Sequence, residues 1–402
     1  MSDLTVGRLL RMLRVNAELT LADLAARMHY SRGHVHNVES GKRAANEDFT
    51  RAADTALDTG GLLTHRWHQE QNAAGGGDPR LERLLRASAA GSRTLAAIAG
   101  QDTDDLGADV ADLATAYLAS PPGPMLHDAH TVRQEVLARL QTRHHRPAER
   151  TELYRAAGHL SGILAYAALD LGHAGIAADH AQAAWRCADF AGDDELRVWV
   201  RGTQSLIARF RSDYAAALEF ITDGLRYAAP GRGTGLARLL CGQAQCLANL
   251  HDSAGANAAL NAAEDARDRA GADFLGGLFG FSLAKQRYYA GSSLIWLDGG
   301  PDAQRAAREA EAAIALWGEK GAVERSLDDE HLAHVYLATA RAQLGDVDAA
   351  AAALGPVLGL PEDMRISWIV KRMGRLAALL EEPRFAGSAV ARETAGAIRA
   401  AG

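Results

Sequence analysis

The sequence predicts an all-α protein, on three observations. Apolar residues recur at helical spacing along the chain, and no stretch alternates apolar and polar residues as a half-buried strand does. Hydrophobic residues make up 48% of the chain but aromatic ones only 6%, so its interior has to be closed by helices approaching through small side chains. Hinges followed by small residues return several times in the second half, the pattern of stacked helical pairs. The expected organisation is a small helical domain over 1–70, a glycine-rich linker over 71–79 and a long helical array over 80–402.

Taken in order, residues 5–15 form the first helix, with Leu9, Leu10 and Leu13 inward. Thr20 caps a second, short helix, and Asp23 closes a capping box three residues on. Leu21, Leu24, Ala25 and Met28 keep its apolar stripe. Ser31 is the next N-cap, and Val35 and Val38 give the helix it opens an inward face. At about 100° per residue, Gly33, His36, Asn37 and Ser40 fall on the opposite face, with Arg32 and His34 flanking it. A merely solvated helix would carry Glu and Lys pairs there. Donors, acceptors and a glycine that lets the backbone come close are what a helix needs in the major groove of DNA. Gly41-Lys42-Arg43 then stops the helix and sets two cations where phosphates would lie. Asn46 starts the next helix, which buries Phe49, Ala53, Ala56 and Leu57 and ends at Gly60-Gly61. In His65-Arg66-Trp67-His68 no third ligand accompanies the two histidines, so the segment is expected to dock through Trp67.

These residues resemble the Cro/CI-type (XRE) helix-turn-helix family of bacterial and phage repressors, over roughly Leu4–Gly61. Leu24-Ala25, Ser31, Val35, Val38-Glu39 and Gly41 carry the resemblance by their mutual spacing. It implies a lambda-repressor-like domain in which Arg32, Gly33 and Asn37 read bases, with His36 beside them on the same face. Ser31, Ser40, Lys42 and Arg43 would hold phosphates. Arg14 would pair with Glu39 and clamp the first helix onto the end of the recognition helix. Two positions depart from the family. Leu21 stands where a glutamine is usual, which removes one DNA contact, and His29 stands at the turn glycine, where it must take up the left-handed region.

After the linker the chain reads as fifteen helices from 80–99 to 387–400, among them 129–144 and 273–291. Pro121-Pro122-Gly123-Pro124 interrupts the array and marks a subdivision near 120–128. Hinges followed by small residues recur in 169–181, 208–218, 247–260 and 342–354. The last, with Gly345-Asp346 at its turn, looks most like a tetratricopeptide (TPR) unit, so the array resembles TPR-like α-solenoids in general, with HEAT-like pairs as the alternative. Tyr288, Tyr289, Trp296, Trp317, Trp199 and Asn249 either line its concave face or pack between its helices.

Residues 1–68 carry nine Lys and Arg against eight Asp and Glu, a balance of +1 that leaves −8 on the remainder of a chain of net charge −7. An acidic remainder places nucleic-acid binding in the first domain. No phosphate-binding glycine loop, zinc-protease motif or nucleophile elbow is present. His127/His130 and His144-His145 are poor metal clusters, the second lying between Arg143 and Arg146. No enzyme activity, cofactor or metal is expected. Cys187, Cys241 and Cys246 read as buried thiols. With no membrane span and no signal-peptide pattern, the expected location is the cytoplasm, at the nucleoid. A helix-turn-helix domain ahead of a TPR-like array also resembles peptide-responsive regulators of Gram-positive bacteria and actinobacterial regulators of this layout. It implies a homodimer on a double-stranded DNA operator, with the array dimerising and sensing a peptide, small molecule or protein. The alternative is an interaction adaptor of TPR type in which DNA binding is secondary.

Overall fold

In a computed structural model of the chain, residues 5–17, 19–74, 79–97, 107–141, 147–297, 299–319 and 325–401 are described. Among them all regular structure is helical, and the chain divides into two compact units, 1–82 and 83–402.

The first unit holds α1 (Val6–Asn16), α2 (Leu21–Arg27), α3 (Arg32–Glu39), α4 (Glu47–Leu57) and α5 (Leu62–Ala74). The first four begin where a side chain takes an amide that the helix itself cannot satisfy. Thr5 accepts from Arg8, Thr20 from Asp23, Ser31 from His34 and Asn46 from Phe49. Their apolar faces share one core in which Leu10, Leu24, Val35, Phe49 and Leu63 are wholly buried, with Leu21 and Trp67 packed at its edge. Residues 71–74, expected in the linker, are instead the last turn of α5. Nothing in Gln71-Asn72-Ala73-Ala74 breaks a helix before the glycines begin. Residues 75–78 lie outside the described part. The amide of Val6 donates to Glu70 Oε1 at 2.6 Å, so α5 also caps α1.

The second unit takes most of α6 (Pro79–Ala97), then α7 (Gly107–Ala116) and α8 (Pro122–Leu140). Six helical hairpins follow: α9 (Pro147–Asp170) with α10 (Ala174–Ala191), α11 (Asp194–Phe210) with α12 (Tyr214–Gly224), and α13 (Gly235–Asn249) with α14 (Ser253–Asp268). The last three are α15 (Leu283–Leu294) with α16 (Gly300–Glu319), α17 (Leu327–Gln343) with α18 (Val347–Leu358), and α19 (Ser367–Leu380) with α20 (Ala389–Ala401).

Four of the hairpins turn by one device, at the four hinges of the sequence pattern. Gly172, Ser212, His251 and Gly345 take φ of 84°, 62°, 61° and 84°. The next amide then reaches back along the helix: His173 to Ala168, Asp213 to Ala208, Asp252 to Leu247 and Asp346 to Arg341, at 2.7, 2.9, 2.9 and 3.0 Å. In three of them the aspartate goes on to cap the second helix, accepting from Ala216, Gly255 and Ala349. A left-handed serine costs roughly 1–2 kcal/mol. Ser212→Gly is therefore expected to raise the thermal unfolding midpoint, by a net stabilisation of about 0.5–1 kcal/mol once the added freedom of the unfolded chain is counted. A lowered midpoint would show that this hinge carries no strain.

Two helices start elsewhere than expected. The one assigned to 129–144 begins at Pro122, so the proline run opens α8 instead of interrupting the array. A proline in the first turn lacks only an amide that has no partner there, and its φ is preset for the helix. The one assigned to 273–291 begins at Leu283. Gly271, Gly276, Gly277 and Gly280 make the preceding stretch a loop with one 3-10 turn, Gly277–Phe279, and it buries Leu278, Phe279 and Phe281. Their apolar spacing imitates a helix.

α6 is fastened to α8 and α10 by buried polar groups. Arg133 donates to Ser88 O and Ser92 Oγ, and His180 is bonded to Ser88 Oγ at 3.1 Å. At the other end of the unit, α19 comes round to the first hairpins. Ser367 Oγ donates to Leu169 O at 2.7 Å, Lys371 Nζ donates to Phe210 O, and Trp368 meets Phe210 edge-on at 4.9 Å. The array therefore closes on itself, with α9, α11, α13, α15, α17 and α19 around one interior. The three cysteines are buried and free, and no described helix is long and apolar enough to cross a membrane.

Candidate nucleic-acid interface

α2 and α3 are joined by a tight turn in which His29 takes φ 55°, the left-handed conformation that its place in the motif demands. On α3, Arg32, Gly33 and His36 are exposed and Asn37 is half-buried; Ser31, Ser40, Lys42 and Arg43, at its two ends, are exposed. Among the described residues the side chains of Arg32, Lys42 and Arg43 have neither a hydrogen bond nor an ion pair. Ser31 Oγ accepts from the His34 amide at 3.2 Å, which leaves its proton to give. Ser40 differs: its hydroxyl donates to His36 O at 2.7 Å, and a phosphate would have to displace that bond.

The loop carrying the two cations is fixed at both ends. The amides of Lys42 and Arg43 donate to Asn37 O at 2.8 and 3.1 Å, folding the loop back on α3. From α5, Trp67 Nε1 donates to Ala45 O at 2.8 Å. The expected docking tryptophan thus holds the backbone beside Lys42 and Arg43.

Three contacts set the direction of α3. Arg14 Nε and Nη2 donate to Glu39 Oε1 and Oε2 at 2.6 and 2.9 Å, while Nη1 donates to Leu19 O at 2.8 Å. Gly7 lies against the last turn of α3, where an added Cβ would stand 2.2 Å from Val38 O. His34, expected to flank the outward face, is half-buried: its ring stacks on Phe49 at 5.1 Å and meets Tyr30 at 5.0 Å. Burial, and then Arg43, lower its pKa, which favours the neutral ring. Neither Gly7 nor the aromatic trio was marked by the sequence, because both are matches between helices far apart along it.

The N-terminus of α2 is already occupied. Asp23 Oδ2 accepts from the Thr20 amide at 2.9 Å, and the bonds from Thr20 hold the carboxyl below its usual range. With Leu21 turned into the core, α2 offers no polar side chain at that end except the capping pair.

Asp54 is a further residue of this unit that sequence reasoning missed. Its carboxylate is buried and accepts from the amides of Leu63 and Thr64 at 2.8 and 2.9 Å and from the hydroxyls of Thr59 and Thr64. It therefore joins α4 to the start of α5. Burial alone would raise its pKa, but the bonds from Thr59, Thr64 and Leu63 outweigh it and the net shift is downward. A depressed folded pKa gives stability that is fully present above the unfolded value of about 3.9 and is lost as pH falls through the folded one. Asp54→Asn is expected to cost about 1–3 kcal/mol at neutral pH, since its amide group faces donors, and to flatten the acid limb of unfolding. An unchanged acid limb would exclude Asp54 as its source.

The lining candidates of the array divide between two situations. Tyr288 and Tyr289 line a pocket bounded by the inner helices. Trp317 is buried, Trp199 packs on Phe279 and donates to Leu278 O at 3.3 Å, and Asn249 donates to Gln245 O at 2.8 Å. Trp296 is covered by the guanidinium of Arg375, 3.7 Å from its centroid. His127 is exposed and His130 half-buried on α8, whereas His144 and His145 lie outside the described residues.

No curated protein and no solved structure matches the chain. Residues 5–67 match the family model described as a helix-turn-helix domain, the stretch from the cap of α1 to Trp67, and the first unit is a helix-turn-helix domain.

Proposed function

We propose that the chain is a sequence-specific DNA-binding transcriptional regulator of the Cro/CI type, acting as a homodimer on a double-stranded operator with α3 in the major groove. The observation that supports this best is the outward face of α3, where an unpartnered Arg32 stands with Gly33, His36 and Asn37 beside a pinned loop bearing Lys42 and Arg43. A planar guanidinium suits the O6 and N7 of guanine, and an amide suits adenine. The Ser31 hydroxyl and the two loop cations suit phosphates, which fix register without reading sequence. Ser40 joins them on giving up its bond to His36. Eight residues of α3 reach only a few base pairs, so two heads are needed, on half-sites one helical turn or a multiple apart. In this reading the helical array dimerises the protein and senses a peptide, small molecule or protein, which shifts operator affinity by no more than its preference between the two states.

The test begins with genome-wide occupancy to find the operator, where the footprint should cover two half-sites. Arg32→Ala should then cost about 1–3 kcal/mol and relax one base position. Lys42→Ala should weaken all DNA alike and lower the salt slope by about one unit. Equal losses on operator and random DNA for Arg32→Ala would remove Arg32 from base reading.

A further inference from the structure

We propose that the closed interior of the helical array binds a small organic cation, an amine whose ammonium is taken by Asp328 with Asp170 and Asp329 and whose body lies against tyrosine rings. The role of such a ligand as an effector rests on the regulator reading above; its binding does not, and can be measured without DNA.

The pocket lies among the inner helices and brings acidic side chains from two of them together. Asp170 at the end of α9 and Asp328 and Asp329 at the start of α17 all line it. Two of them have partners. Asp170 Oδ2 accepts from Tyr117 Oη at 2.6 Å, and Asp329 Oδ2 accepts from Ser326 Oγ at 2.7 Å and stands 3.7 Å from Lys285 Nζ. Asp328 has neither a hydrogen bond nor an ion pair among the described residues. Burial first, then the neighbouring carboxylates, raise the pKa of Asp328, and burial followed by Asp329 raises that of Asp170. One lysine facing three carboxyl groups leaves them short of positive charge, and the raised pKa of Asp170 and of the half-buried Asp328 is the mark of that shortage.

The other cations of the wall are engaged elsewhere. Arg238 donates to Trp199 O at 2.6 Å, to Tyr166 Oη at 2.8 Å and to Thr203 Oγ1 at 3.1 Å. Arg372 donates to Tyr336 Oη at 3.1 Å and lies 5.1 Å from the rings of both Trp296 and Trp368. Tyr288 meets Tyr289 at 5.2 Å and Tyr336 at 5.7 Å, forming an aromatic wall for a cation and its hydrocarbon. An anion entering the same space would meet the carboxylates. Among the described residues no three His, Cys, Asp or Glu side chains are grouped to hold a metal ion, and an ammonium brings hydrogen-bond donors of its own to the carboxyl groups.

The probe is tyramine, and its control is 3-(4-hydroxyphenyl)propionate, which has the same ring and chain with a carboxylate in place of the ammonium. Thermal unfolding of the full chain at pH 7 should shift upward with tyramine in a concentration-dependent way and not with the propionate. Asp328→Asn replaces an unpartnered carboxylate with a neutral amide, so it should fold with a midpoint at or above the parent's and lose the tyramine shift. Should that variant unfold early, equilibrium dialysis of tyramine against Asp170→Asn serves instead, with at least a tenfold loss of affinity expected. No tyramine shift in the parent, equal shifts from both probes, or full tyramine affinity in the variants would each overturn the proposal. Operator binding is measured in parallel. A chain that binds operator but not tyramine keeps the regulator reading and loses this one, and the reverse result does the opposite.

Discussion

Glu39→Ala is expected to cost the helix-turn-helix domain about 3–5 kcal/mol, a large part of the stability of a domain this small. The carboxylate takes two hydrogen bonds from Arg14 in a setting where both side chains are mostly shielded from water. Without it the guanidinium keeps its bond to Leu19 O but holds an uncompensated charge against the core. The pair ties α1 to the last turn of α3, so the loss should appear there first. Amide hydrogen exchange in the full chain is the measurement, with protection of α1 and α3 falling while that of α9–α20 stays as it was. Unchanged protection in α3 would mean that the ion pair contributes nothing. Because burial of a charged pair is itself expensive, the double variant Arg14→Met with Glu39→Leu should recover most of the loss.

Gly7→Ala should damage the same junction by crowding it. The new Cβ would fall 2.2 Å from Val38 O and 3.2 Å from Val38 C, atoms of a helix backbone that cannot rotate aside. α1 and α3 have to separate, which puts the cost near the upper end of the roughly 1–3 kcal/mol typical of overpacking, or beyond it. Gly33→Ala is the matched control. Nothing lies within 4 Å of its added Cβ, so stability should hold or improve by up to about 1 kcal/mol. Operator affinity should fall for Gly33→Ala if the backbone of α3 approaches the groove there. Denaturation of the two variants side by side separates the roles, and a Gly7→Ala protein as stable as the parent would refute the close contact.

Much of the first domain could be read from short-range chemistry. The caps at Thr20, Ser31 and Asn46, the capping box and the packing of Trp67 each depend on neighbours or on a few residues of fixed spacing. The hinges at Gly172, Ser212, His251 and Gly345 were legible for the same reason. Gly7, Asp54 and the stack of His34 on Phe49 were not, since each is defined by a partner on another helix. The loop before Leu283 misled because Leu278, Phe279 and Phe281 are apolar at nearly helical intervals, while the glycines between them favour a loop. The cavity carboxylates were invisible for a further reason. Asp170 and Asp328 look like surface residues until the curvature of six hairpins brings them together.

That curvature also changes how the array can come apart. In an open stack of repeats, the terminal unit touches one neighbour and peels away by breaking a single interface. Here Ser367, Trp368 and Lys371 bind the ends of α9 and α11, so the last hairpin is also a neighbour of the first two. Detaching α19 and α20 breaks two sets of contacts and uncovers the interior in the same event. A stack built of short-range parts thereby acquires the cooperativity of a globular domain, with no cheap end from which to fray.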